Sequence, residues 1–155
     1  LELNKEIPGF EREYFFEFYG SNQLGFFDEN ALKTIKIPKN IIFKKRVNQN
    51  RSRKLMNKKD ILISIDGKNI ENIYLPSKII EYLQHKKPIL AISNFNSPSH
   101  QLSKVIDITF ADIGDIYDIK KNIIKIKKKK KLNKSKEINF YNLKNIIKLW
   151  KKVIN

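Results

Sequence analysis

The chain has 155 residues, no cysteine, and 32 lysines and arginines against 16 aspartates and glutamates, for a formal net charge of +16. That length builds one ordinary core but not two full domains with a cleft between them, and the lack of cysteine removes disulfide frameworks, thiolate metal sites and cysteine nucleophiles. Such an excess of cations points to nucleic acid or an anionic membrane surface as partner, although a sequence this rich in Ile, Lys and Asn is also what an AT-rich genome writes through its codons.

The chain begins at Leu1 and not at methionine, and a fragment, a processed product or a truncated reading frame is the expectation. Its longest apolar stretches, residues 61–65 and 88–92, fall far short of the ~20 residues that span a bilayer, and no signal peptide opens it. A cytoplasmic location is expected, at most peripheral to the inner face of the plasma membrane.

In chain order, residues 13–19 (EYFFEFY) are aromatic-rich and run into Gly20, the pattern of a buried strand ended by a turn. Residues 40–47 (NIIFKKRV) form a second strand candidate, and residues 50–57 have helical spacing. Residues 60–66 (DILISID) give the clearest strand, with β-branched side chains between a lysine run and the turn signal Asp66-Gly67. Helical spacing over 76–85, a strand at 88–93 (PILAIS), a helix over 98–105, a short strand at 107–110 (DITF) and a helix over 115–128 follow. Alternation of near-continuous apolar strands with amphipathic helices predicts an α/β, Rossmann-like parallel sheet with helices on both faces. Ligands of such sheets bind outside the carboxyl ends of the strands.

Beyond it, residues 125–136 (KIKKKKKLNKSK) are a basic low-complexity run. Phe140, Leu143, Ile146, Ile147, Trp150 and Ile154 then mark one apolar stripe of a helix over 137–154. The expected division is a Rossmann-like domain over 1–130 and a basic linker with a C-terminal amphipathic helix over 131–155.

Residues 75–93 (LPSKIIEYLQHKKPILAIS) carry the most chemistry. Proline suits the first helical turn, where its missing N–H is not needed, so Pro76 opens a helix. Ile79, Ile80 and Leu83 form its core face, while Ser77, Lys78 and Glu81 lie three to four residues apart on the other. The first amides of a helix lack partners and sit at the positive end of its dipole, so those of Ser77, Lys78 and Ile79 offer a phosphate cradle. A cation in the first turn opposes that dipole unless an anion lies between them, which makes Lys78 notable. The carboxylate of Glu81 suits a ribose hydroxyl pair. A plain surface helix would carry the same two residues as a solvated i,i+3 ion pair worth ~0.3 kcal/mol.

Asp66 ends a strand on the ligand side, where it either touches substrate or serves the Asp-Gly turn. Ser93, Asn94, Asn96, Ser97 and Ser99 make a polar loop on that same side, a solvated connection or a substrate contact. His85 and His100 are read as lying in or beside loops with no second ligand at metal spacing, so no metal site is expected. The chain contains no Gly-x-Gly-x-x-Gly, P-loop or nucleophile-elbow sequence, which argues against a dinucleotide dehydrogenase, an NTPase and a serine hydrolase. No catalytic residue is identifiable.

The order DILISID, loop, PSKIIEY helix and KPILAIS strand resembles the C-terminal domain of GT-B glycosyltransferases, particularly the bacterial group 1 transferases that build surface polysaccharides. The resemblance covers roughly residues 14–126, beginning with a strand that ends in glycine, and is most specific over 76–90. It implies the C-terminal half of a GT-B fold, which binds a nucleotide-sugar donor and needs no cofactor beyond that substrate. By this resemblance the Ser77, Lys78 and Ile79 amides face the diphosphate, Glu81 holds the ribose, and the loop at Val47 and Asn48 grips the base through backbone groups. It also implies an N-terminal acceptor domain, without which this half transfers no sugar.

The chain departs from the pattern in three places. Ile73 stands where an E-x7-E arrangement has its first glutamate, which removes an expected contact to the donor sugar. Lys86-Lys87 replaces a small residue and a glycine before the proline, and the phosphate-binding arginine and lysine near the domain start precede the stretch that aligns and are expected upstream of Leu1. The alternative is a nonenzymatic basic module binding nucleic acid, against which stand the scarcity of arginine and the absence of a nucleic-acid-binding motif.

Overall fold

A computed structural model describes residues 2–20, 37–67 and 75–129; the expected terminal helix over 137–154 and the basic run from residue 130 onward lie outside them. The chain divides into two compact units, Leu1–Arg53 and Lys54–Asn155. The architecture is α/β with parallel strands in two small sheets, one in each unit, compatible with a Rossmann-like arrangement.

In the first unit α1 (Glu2–Glu6) and α2 (Phe10–Glu13) precede β1 (Phe16–Gly20). The strand thus starts three residues later than the aromatic run at 13–19 predicts. Gly9, at φ 80, takes a left-handed conformation that only glycine adopts without a steric penalty, and a helical turn begins behind it. That turn buries Phe10, whose ring stacks on Tyr14 at 4.1 Å, and the Tyr14 N–H donates to the Phe10 carbonyl at 2.9 Å. β2 (Ile41–Lys45) pairs parallel with β1, Phe16 opposite Ile41 and Phe18 opposite Phe43. The buried Asn40 fixes the entry to both strands. Its Nδ2 donates to the Tyr14 carbonyl at 3.0 Å, and its own carbonyl accepts from the Phe16 N–H at 2.8 Å. Helix α3 (Gln49–Asn57) runs across the boundary between the units.

The second unit holds β3 (Leu62–Ile65), α4 (Ser77–Leu83), β4 (Ile89–Ser93), α5 (Pro98–Val105), β5 (Thr109–Asp112) and α6 (Ile116–Lys127). The strands lie side by side in the order β3-β4-β5, all parallel. Parallel neighbours need a crossover connection, and α4 and α5 supply the two. Every residue of the central β4 is buried, because both of its faces are covered. Ile89 and Ala91 pack with Ile79 and Leu83 of α4 and with Leu102, Ile106 and Ile108; Leu90 and Ile92 pack on the opposite face with Ala111 and with Ile126 of α6. Alternate residues of one apolar strand therefore feed two separate cores.

β5 is displaced from the expected 107–110. Ile106 is used to close α5, its N–H donating to the Leu102 carbonyl at 3.0 Å, and the ladder first engages at Thr109 opposite Leu90. The turn between α4 and β4 places Lys86 at φ 54, a left-handed backbone that costs a lysine ~1 kcal/mol and glycine almost nothing. Among the described residues no helix is long and apolar enough to cross a membrane.

Candidate functional site

Because β3, β4 and β5 run in one direction, the carboxyl ends of all three strands and the starts of α4, α5 and α6 gather along one edge of the sheet. The seven residues expected from sequence to bind nucleotide fall on three separate segments of the chain. Ser77, Lys78, Ile79 and Glu81 share α4, Asp66 follows β3, and Val47 and Asn48 belong to the first unit.

Pro76 stands just outside α4, as its cap, at φ −59 and ψ 122, and Ser77 is the first helical residue. The Ile79 N–H donates to the Pro76 carbonyl at 3.0 Å, and its side chain is fully buried in the core. The three-amide cradle is thereby reduced to Ser77 and Lys78, whose N–H groups open the helix and have no intrahelical acceptor. Lys78 Nζ lies 2.9 Å from Glu81 Oε2, the lysine exposed and the glutamate half-buried. Burial holds the neighbouring Tyr82 phenol above its ordinary pKa, with the charge of Lys78 acting against it.

Asp66 ties β3 to its neighbours. Its N–H donates to the Ile92 carbonyl at 2.9 Å, and its Oδ2 accepts from Ser99 Oγ at 3.0 Å. The polar loop after β4 is not a merely solvated connection: Ser93, Ser97 and Ser99 are all buried. Ser93 Oγ donates to Ser97 Oγ at 2.9 Å, and Ser97 Oγ accepts the His100 N–H at 3.2 Å, capping α5 ahead of Pro98. A serine pattern of this kind marks a helix start in sequence, yet nothing local announces that Asp66, 33 residues away, is its partner.

His100 also sits differently from the expectation of a loop histidine. It lies in the first turn of α5, 9% exposed, between the rings of Phe95 at 4.2 Å and Phe110 at 4.6 Å. Its Nδ1 accepts the N–H of Asn96, itself at φ 67, at 3.0 Å; the ring is then neutral with its proton on Nε2. Burial lowers its pKa from 6.5, Lys104 lowers it further and Asp112 opposes them. A histidine kept neutral by the fold contributes stability that is complete above its unfolded value and lost as pH falls below it. The melting temperature is therefore expected to stay level down to about pH 6.5 and to decline below it. The His100→Gln variant should lose part of that decline; an identical acid profile in the variant would show that other groups set it.

The carboxylates after β5 are occupied by local structure. Asp115 Oδ1 caps α6 by accepting the Tyr117 and Asp118 N–H groups at 2.8 and 3.1 Å, and Asp118 Oδ2 accepts the Asp112 N–H at 2.9 Å. In the first unit Asn48 starts α3: its Oδ1 accepts the Arg51 N–H and its carbonyl the Ser52 N–H, each at 2.9 Å. Val47, half-buried, joins β2 to that helix. His85 lies at the opposite edge of the sheet, its Nδ1 2.7 Å from Asn57 Oδ1. Among the described residues no group of three His, Asp or Glu side chains is placed to hold a metal ion. No family model, curated protein or solved structure matches the chain.

Proposed function

We propose that the chain is the donor-binding half of a glycosyltransferase that transfers a sugar from a nucleotide-sugar to an acceptor in surface polysaccharide or other glycan synthesis. The observation that carries this reading is the start of α4 at the carboxyl edge of a parallel sheet, with Lys78 and Glu81 side by side one turn apart. The donor diphosphate lies against the N–H groups of Ser77 and Lys78, where the helix dipole favours an anion. Lys78 turns from Glu81 to the phosphate, and the Glu81 carboxylate then accepts from the ribose hydroxyls. The exchange is inexpensive, since the lysine end of the pair is exposed and surface ion pairs contribute only ~0.2–1 kcal/mol. Asp66, held by Ser99 at the neighbouring strand end, faces the sugar side. The acceptor and its activating base belong to a separate N-terminal domain, and the whole enzyme works at the cytoplasmic face of the membrane.

Glu81→Ala is expected to weaken nucleotide-sugar binding about tenfold or more, because hydrogen bonds to a charged group contribute ~1.5–3 kcal/mol. Calorimetric titration with UDP-, GDP- and CMP-sugars measures it and also selects the base. A folded Glu81→Ala protein with unchanged affinity would reject the assignment, and would leave the pair with Lys78 as surface decoration of the helix.

A further inference from the structure

We infer that the amino edge of the three-stranded sheet, opposite the edge where the strands end, is a docking face for an anionic lipid surface. The inference stands on topology and charge and is independent of the donor reading. Helices between parallel strands run back against them, so α4 and α5 end where β4 and β5 begin; α3 ends just ahead of β3, and α6, packed on β4, ends beside Asp107. Two contacts fix this arrangement: His85, after α4, meets Asn57 at the end of α3, and Lys129, after α6, meets Asp107 just before β5.

The sequence places lysines at each of those arrivals. Lys58 and Lys59 follow α3, Lys86 and Lys87 follow α4, Lys104 is in the last turn of α5, and Lys125, Lys127 and Lys128 end α6. Against them the edge holds Asp60 and Asp107, the latter in contact with Lys129. The other edge carries Asp66, Asp112, Asp115 and Asp118, and its Lys78 is paired with Glu81. The unit is therefore electrostatically polarised along its strands.

Helix dipoles alone do not account for this. Their attraction for cations fades beyond the last turn, yet Lys58, Lys59, Lys86 and Lys87 lie past the helix ends. Lys86 in addition occupies a left-handed position, φ 54, that glycine would fill without strain. The chain also leaves α6 at this edge, and its sequence continues KKLNKSK from residue 130.

A lipid surface fits these residues better than nucleic acid does. From Lys54 to the end of the chain there is no arginine, so the bidentate fork that grips phosphate and guanine is missing. The exposed aromatics described in this unit, Phe95 and Tyr117, follow β4 and β5 at the far edge and offer no stacking platform here. What accompanies the lysines is an aliphatic side chain, Val105, 60% exposed beside Lys104. Diffuse point charges with an apolar neighbour suit a headgroup layer.

The test is cosedimentation of the full chain with vesicles of equal parts phosphatidylglycerol and phosphatidylcholine. Binding is expected at low salt, with loss at ~1 M salt, where the screening length falls to ~3 Å, and with phosphatidylcholine alone. Each lysine removed from the face should lower partitioning about fivefold. Lys58→Gln, Lys86→Gln, Lys104→Gln and Lys128→Gln together should therefore cost more than a hundredfold by that same factor. Removing a charge midway along α6 in the same unit, with Lys121→Gln, should cost less than about twofold by comparison. Should the combined variant fail to fold by circular dichroism, the single variants Lys58→Gln and Lys128→Gln decide the matter at fivefold each. The inference is overturned by absence of vesicle binding, by a loss in Lys121→Gln as large as that in Lys58→Gln or Lys128→Gln, or by duplex RNA or DNA binding the chain more tightly than the vesicles do.

Discussion

Replacement of Leu90 by alanine is expected to lower the unfolding free energy of the second unit by about 2–5 kcal/mol. Leu90 is 1% exposed on the central strand and packs with Ile92, Ala111 and Ile126 beneath α6. The loss combines the transfer of a buried isobutyl group with the cavity it leaves, and strands held on both sides relax poorly into such a space. A small domain has only ~5–15 kcal/mol of stability in total, so a substantial fraction of it rests on this one side chain. Urea unfolding followed by circular dichroism measures the change. A loss below ~1 kcal/mol, the ordinary figure for an arbitrary substitution, would show that α6 does not close that face in solution.

Incubated with a nucleotide-sugar and an acceptor, residues 1–155 are expected to bind the donor and transfer no sugar. Alignment of the acceptor and its base with the anomeric carbon supplies ~7–11 kcal/mol of barrier lowering in a well-organised site, and by the proposed reading those groups reside in an N-terminal domain. The carboxylates at the carboxyl edge are engaged in holding the fold: Asp66 by Ser99, Asp115 as the cap of α6, and Asp118 by the Asp112 amide. His100 is clamped between two rings with Nδ1 engaged, which fits it poorly for proton transfer to an acceptor. On the same proposed reading the other domain supplies one wall of the cleft, and donor affinity should therefore be modest. Adding that domain in trans should restore transfer, whereas efficient transfer by these residues alone would reject the half-enzyme reading.

Much of the second unit was legible in the sequence because its signals are local. The run DILISID between lysines and Asp-Gly marks β3 within two residues, and PILAIS marks β4 within one. Pro98 after Ser97, and Asp115 before an amphipathic run, place the starts of α5 and α6 through capping chemistry that involves only the next turn. What only the tertiary structure decided depends on residues distant in the chain. The strand expected from residue 13 starts only at Phe16, after a helical turn ending at Glu13, because Phe10 found Tyr14 and Asn40 found the Tyr14 carbonyl. β5 moved by two residues because a strand is defined by its ladder partner, and Leu90 selected Thr109. The parallel strands of the two units form separate small sheets, a pairing that periodicity within each strand does not specify.

The site divides along the same line. Lys78 and Glu81 were predictable neighbours, since helical spacing puts residues three apart on one face, and they meet at 2.9 Å. The fate of Ile79, with its amide taken by Pro76 and its side chain in the core, followed from a turn geometry that composition does not reveal. Asp66 with Ser99, and His100 between Phe95 and Phe110, exist only because crossover connections bring successive strand ends to one edge. The sequence by itself determined which residues carry charge and which stretches fold into strand or helix, because those properties are intrinsic or local. Which charges share an edge, and which polar groups are consumed in holding the fold, was decided by strand order and chain direction, because hydrogen bonds and packing act between atoms that the sequence keeps far apart.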